Sequence, residues 1–235
     1  MGRSEFTDTL VAKRLKMAQF FNKSANNIAR ISMVAAAVLA GVGGFAFTQF
    51  SRSSYLTGRY QEKQQPVQFS HKHHVGDDGI DCRYCHQTVE TTATAGMPST
   101  QTCMNCHSQL WADSPYLEPV RASFRDNKPI EWERVHDLPE YTYFNHSIHV
   151  AKGVGCSTCH GQIDNMPAVY QENTLQMEWC VECHRAPEKF IRPKAEVFNM
   201  NYQAGDIDQK DRDKLKVDYK IRSVEMMTSC STCHR

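Results

Sequence analysis

Ten cysteines occur in the 235-residue chain, and all ten fall into one five-residue pattern. The copies are Cys82-Arg-Tyr-Cys85-His86, Cys103-Met-Asn-Cys106-His107, Cys156-Ser-Thr-Cys159-His160, Cys180-Val-Glu-Cys183-His184 and Cys230-Ser-Thr-Cys233-His234. C-x-x-C-H is the attachment pattern of c-type haem. The thiols form thioether bonds to the vinyl groups, and the histidine ligates the iron. Zinc sites also use paired C-x-x-C units, but they do not need a histidine after every second cysteine. Disulfides need no fixed two-residue gap. Five copies predict five covalently bound haems, with His86, His107, His160, His184 and His234 as proximal ligands. No cysteine is left over for a lipidated N-terminal cysteine.

An electron-carrying haem usually has a second axial ligand, so five more are required. Six histidines lie outside the motifs: His71, His73, His74, His136, His146 and His149. An internal repeat sorts them. Residues 69–75 read Phe-Ser-His-Lys-His-His-Val and residues 144–150 read Phe-Asn-His-Ser-Ile-His-Val. The alignment pairs His71 with His146 and His74 with His149, and leaves His73 opposite Ile148. Each segment precedes two motifs, and the offset between halves stays between 74 and 77 residues. This is a duplicated di-haem unit. Histidines three apart share a helix face. They cannot easily bind opposite sides of one iron, but they can reach two neighbouring haems. His71, His74, His146 and His149 are therefore the expected distal ligands. For the fifth, His136 competes with three methionines: Met97 and Met166, each in a Met-Pro pair between the two motifs of a repeat, and Met177, just before Cys180. A thioether ligand would raise that haem's potential relative to bis-histidine ligation, although a lone methionine is more often a packing residue.

The elements that hold these residues must be short. Residues 31–50 carry no charge and are mostly apolar, which suits a membrane-spanning helix. A cleaved signal peptide is the competing reading; the late start and the lack of a convincing small-x-small cleavage site favour a retained anchor. Ala37 with Gly41, and Ala40 with Gly44, would permit close approach of another helix. The 185 residues beyond the anchor leave fewer than 40 for each haem. The expected fold is mostly α and irregular: an N-terminal transmembrane helix, then a multihaem cytochrome c domain of short helices and loops in which the porphyrins form the core. Its expected divisions are a cytoplasmic segment 1–30, the anchor 31–50, a linker 51–68, a first di-haem module 69–125, a connector and second module 126–190, and a C-terminal segment 191–235 with the fifth haem. Residues 8–29 could form an amphipathic helix on the inner membrane face, and the charged run 206–220 reads as a solvent-facing helix.

Charge sets the orientation. Of 27 basic and 26 acidic residues, residues 1–30 hold six basic side chains (Arg3, Lys13, Arg14, Lys16, Lys23 and Arg30) and two acids (Glu5 and Asp8), leaving 21 and 24 beyond. The positive-inside rule keeps the N-terminus cytoplasmic, which places the haem domain on the periplasmic side of a bacterial inner membrane. No basic stripe suggests nucleic-acid binding.

The F-x-H-x-x-H segments followed by closely spaced motifs resemble small multihaem cytochromes of the c3 and c7 type. Arg134-Val-His-Asp-Leu-Pro139, Phe144-Asn-His-Ser-Ile-His149, Gly155-Cys-Ser-Thr-Cys-His-Gly161 and Met177-Glu-Trp-Cys-Val-Glu-Cys-His-Arg185 resemble, more particularly, the pentahaem subunit of alternative complex III, a bacterial quinol:electron-acceptor oxidoreductase. That resemblance implies a membrane complex with an iron–sulfur subunit, polytopic quinol-binding subunits and a mono-haem cytochrome c, or direct delivery to a haem-copper oxidase. The chain itself would be an electron relay with no catalytic residue. Two alternatives remain. A self-sufficient quinol dehydrogenase feeding a periplasmic reductase would place a haem near the membrane, whereas the first motif begins more than thirty residues past the anchor. A multihaem reductase needs an open iron position, whereas the spare histidines outnumber the haems.

Overall fold

The computed structural model describes residues 21–234, which divide into two units at residues 51 and 52. In the first, helix α1 spans Ser24–Ser51, 28 residues in all. At 1.5 Å per residue it measures about 42 Å, enough to cross a bilayer core of roughly 30 Å. Its hydroxyls bond back into the helix: Ser32 to the Ala29 carbonyl, Thr48 to that of Phe45 and Ser51 to that of Thr48. Each bond satisfies a polar side chain within its own helix. A Cβ at Gly41 or Gly44 would meet nothing. Residues 24–29 form the first turns of α1, not a separate helix; the rest of the amphipathic segment expected over 8–29 lies outside the described residues up to residue 20.

The second unit is built from short helices joined by loops. α2 spans Ser54–Thr57 and stops at Gly58, whose φ of +69° supplies the left-handed C-cap. A π-turn, Lys72–Asp77, holds the second half of the first histidine segment, with His71 as its N-cap. Then come α3 (Cys82–Cys85), α4 (Thr100–His107), α5 (Glu118–Asp126), α6 (His146–Ala151), α7 (Cys156–His160), α8 (Met177–Arg185), α9 (Gln209–Asp218), α10 (Val224–Met227) and α11 (Cys230–Cys233). Single-turn 3₁₀ segments connect several of them, including Ile163–Asn165. Among the described residues β structure is limited to isolated bridges, such as Thr142 with His234 and Val154 with Ile191. α9 has no buried residue, as its charge run requires.

Eight apolar side chains are buried among the described residues: Val67, Val89, Val120, Met166, Pro187, Ile191, Val197 and Met200. These few side chains are the buried apolar core among the described residues.

Residues 52–68 run along the second histidine module. The Tyr60 amide donates to the Gln171 carbonyl at 3.0 Å, Arg59 Nε to that of Glu172 at 2.8 Å and Gln65 Nε2 to that of Glu133 at 2.9 Å. The two modules also interlock. The Lys72 amide donates to the Met166 carbonyl at 3.1 Å, and Gly76 packs so closely there that a Cβ would sit 2.4 Å from the Asp164 oxygen.

Candidate metal centres

Every motif occupies a helical turn, which brings its two thiols and its imidazole to one side. Asp81 caps the first, its carboxylate accepting the Arg83 amide at 2.8 Å. Gly155 starts the third beneath the buried Arg192. The Arg192 guanidinium bonds the two residues between the cysteines, Ser157 Oγ and Thr158 Oγ1, each at 3.2 Å. All ten cysteines are free of disulfides. Among the described residues no three His, Cys, Asp or Glu side chains converge as a zinc site would require.

The repeat histidines face motif histidines. His71 and His86 have ring centroids 6.5 Å apart, and His74 and His107 are 6.1 Å apart. His146 and His160 are separated by 6.4 Å, and His149 and His184 by 6.2 Å. Two imidazoles bound on opposite sides of one metal, with metal–nitrogen bonds of about 2 Å and a nitrogen-to-centroid distance of about 1.2 Å, would be about 6.4 Å apart. All four pairs have that spacing, so the residues present fit an iron held between each pair. Each pair takes one member from a motif and one from a repeat segment, and each segment serves two motifs.

Hydrogen bonds fix the rings. The Nδ1 atoms of His86, His107, His184 and His234 lie 2.8–3.1 Å from the carbonyls of Gly96, Leu110, Met227 and Tyr141. Those of His74, His146 and His149 lie 2.7–3.0 Å from the carbonyls of Ser70, Ala93 and Asn145. An Nδ1–H given to a carbonyl leaves Nε2 as the metal-binding lone pair. Burial pushes His71 down to about 4 and His160 down to about 3, with neighbouring imidazoles adding to both. Both rings are therefore neutral at pH 7, the form that binds metal.

The motifs also have a spatial order. Cys82 of the first motif neighbours Cys156 of the third. Cys85 neighbours Cys103 and Cys106, Cys159 neighbours Cys180 and Cys183, and Cys180 neighbours Cys233. Burial pushes the Cys159 thiol up to about 11 and that of Cys183 up to about 12. The line of motifs therefore runs second, first, third, fourth, fifth.

The remaining candidates lie elsewhere. His136 packs edge-on against His160 at 4.3 Å and 73°, too close to bind the opposite side of the same metal. Burial pushes it down to about 4, with His146 and Lys63 adding. Met166 is buried, whereas Met97 and Met177 are exposed. His73 stacks on Trp111 at 5.9 Å and pairs with Asp78 at 3.5 Å. Among the described residues no second imidazole faces His234, which leans on Tyr141. Arg192, Tyr141 and the carbonyl acceptors were not legible in the sequence, because main-chain acceptors and tertiary neighbours leave no motif.

This arrangement defines a multihaem c-type cytochrome with covalently bound haems. The chain matches the family of cytochrome c7 and related cytochrome c over residues 67–119 and 142–235, and it belongs to that family. It is also 30% identical over 146 residues to the multihaem cytochrome c subunit of menaquinone reductase from Nitratidesulfovibrio vulgaris, covering 53% of this chain and 70% of that subunit.

Proposed function

We propose that the chain is a membrane-anchored pentahaem cytochrome c that relays electrons from quinol oxidation to a second redox protein. The four imidazole pairs at trans-ligand spacing carry this reading. Each haem, when bound, supplies a one-electron Fe(III)/Fe(II) couple. The polypeptide holds the rings on both sides, orients them through carbonyl acceptors, and leaves no open position at these four centres for a substrate. The spatial order of the motifs makes the second and fifth the two ends of the relay. His71, His74, His146 and His149 are the proposed distal ligands; for the remaining haem the candidates are His136, Met97, Met166 and Met177.

The particular setting we propose is alternative complex III, on the resemblance of residues 134–139, 144–149, 155–161 and 177–185 to its pentahaem subunit. There α1 anchors the chain in a bacterial inner membrane with the haem domain on the periplasmic side. Polytopic membrane subunits bind quinol, and an iron–sulfur subunit passes the electrons in. They leave to a mono-haem cytochrome c or a haem-copper oxidase. The menaquinone reductase relative favours a second reading, in which the same relay delivers electrons toward a quinone pool.

Purification from native membranes in mild detergent tests this. Co-purification with an iron–sulfur subunit and polytopic subunits, with quinol:cytochrome c activity, is the expected result. A complex that only reduces menaquinone would select the second reading. A lone pentahaem protein that oxidises quinol would overturn both.

A further inference from the structure

Among the nine histidines that belong to motifs or repeat segments and face a metal position, seven give Nδ1 to a main-chain carbonyl. The two exceptions are His71 and His160, whose Nδ1 atoms are buried and have no partner. His160 differs from His71 in having another imidazole, His136, against it at 4.3 Å with the planes 73° apart. His136 carries a buried nitrogen without a partner as well, Nε2. An unpaired buried polar group costs about 1–3 kcal/mol, and here two of them occur on touching rings.

We propose that His136 is a positioning residue for the third haem, its Nε2 accepting the Nδ1–H of His160. This rests on the reading of His160 as an iron ligand. The bond would be made by turning the His136 ring about its Cβ–Cγ bond, a broad torsion, with the His160 plane kept. It would replace the main-chain carbonyl used at the other four motifs with an imidazole nitrogen. Hydrogen bonding from the far side of a ligating histidine raises its basicity and so favours the oxidised iron. The His160 centre would then have a lower potential than it would without His136, at the middle of the line of five motifs.

The test uses the full-length holoprotein with wild-type, His136→Leu and His136→Gln side chains, compared by haem content, electron paramagnetic resonance, carbon monoxide binding and potentiometric titration. The wild type tests the underlying reading separately: five haems, with low-spin signals for the four paired centres. In His136→Leu those centres are expected to stay low-spin without gaining carbon monoxide binding. One midpoint is expected to rise by a tenfold change in its equilibrium constant, about 59 mV for one electron, and His136→Gln, which keeps an acceptor, should recover much of that shift. A new high-spin haem that binds carbon monoxide would make His136 an iron ligand and overturn the proposal; unchanged potentials and spectra would also overturn it. Should His136→Leu fail to assemble, the fully reduced, diamagnetic wild type decides. A scalar coupling across an N–H···N bond between His160 and His136 is expected in its nitrogen NMR spectrum, and its absence would reject the proposal.

Discussion

The two histidine modules are near copies where they touch the metal positions and differ where they touch the rest of the chain. Phe69 stacks on His74 at 4.4 Å and 22°, and Phe144 on His149 at 4.5 Å and 25°. Phe69 meets His71 edge-on at 4.9 Å, and Phe144 meets His146 at 4.7 Å. His74 and His149 bond the carbonyl four residues back at 2.8 and 2.7 Å. Yet the first segment continues as a π-turn and the second as an α-helix. His107 is braced locally by Leu110, whereas His184 is braced by Met227, 43 residues away. The ring planes of His74 and His107 are 69° apart, against 23° for His149 and His184. Ligand spacing is therefore written into the repeat, while ring angle and hydrogen bonding come from tertiary surroundings. Those surroundings are the means of giving equivalent ligand sets different potentials.

The largest test removes a repeat histidine from either module. His71→Ala and His146→Ala should each leave one iron with an open position, seen as a new high-spin signal and carbon monoxide binding. If only one of them does so, the modules are not equivalent at the metal.

The next test concerns how the first motif of each module is started. A Cβ at Gly155 would sit 2.1 Å from Arg192 Cζ, and that guanidinium is held by Ser157, Thr158 and the Asn199 carbonyl. Gly155→Ala should destabilise the holoprotein by about 1–3 kcal/mol, measured by denaturant titration. In the first module Asp81→Ala removes a cap and should cost about 1 kcal/mol. A Gly155→Ala cost below that of Asp81→Ala would show that Arg192 yields easily.

The smallest effect lies where the C-terminal segment meets the edge of the second module. The Lys216–Glu188 pair spans 3.2 Å with both side chains partly exposed. Lys216→Ala should change stability by less than about 1 kcal/mol, and by less still in high salt.

Much of this was legible in the sequence because the chemistry demands fixed spacing. Two thiols and an imidazole for one haem require C-x-x-C-H, and histidines three apart on a helix cannot easily bind one metal; His71 and His74 face different motif histidines. The apolar run 31–50 lies within α1, which extends it N-terminally through the polar residues Ser24, Asn26, Asn27 and Arg30. The contact of Cys82 with Cys156 could not be read, since it joins segments 74 residues apart through packing alone. The place of His136 could not be read either. One unmatched histidine has no period or repeat partner to locate it, and its neighbour His160 is set by the third dimension.

The most direct measurement of the paired-imidazole account is electron paramagnetic resonance of the fully oxidised holoprotein. Near-parallel imidazole planes split the iron π orbitals strongly and give rhombic low-spin signals; near-perpendicular planes leave them almost degenerate and give a highly anisotropic one. The planes are 2° apart for His71 with His86, 11° for His146 with His160 and 23° for His149 with His184, but 69° for His74 with His107. The account predicts three rhombic signals and one highly anisotropic signal from these four centres, with the last lost in His74→Ala. High-spin signals from these centres, or an anisotropic signal that survives His74→Ala, would contradict it.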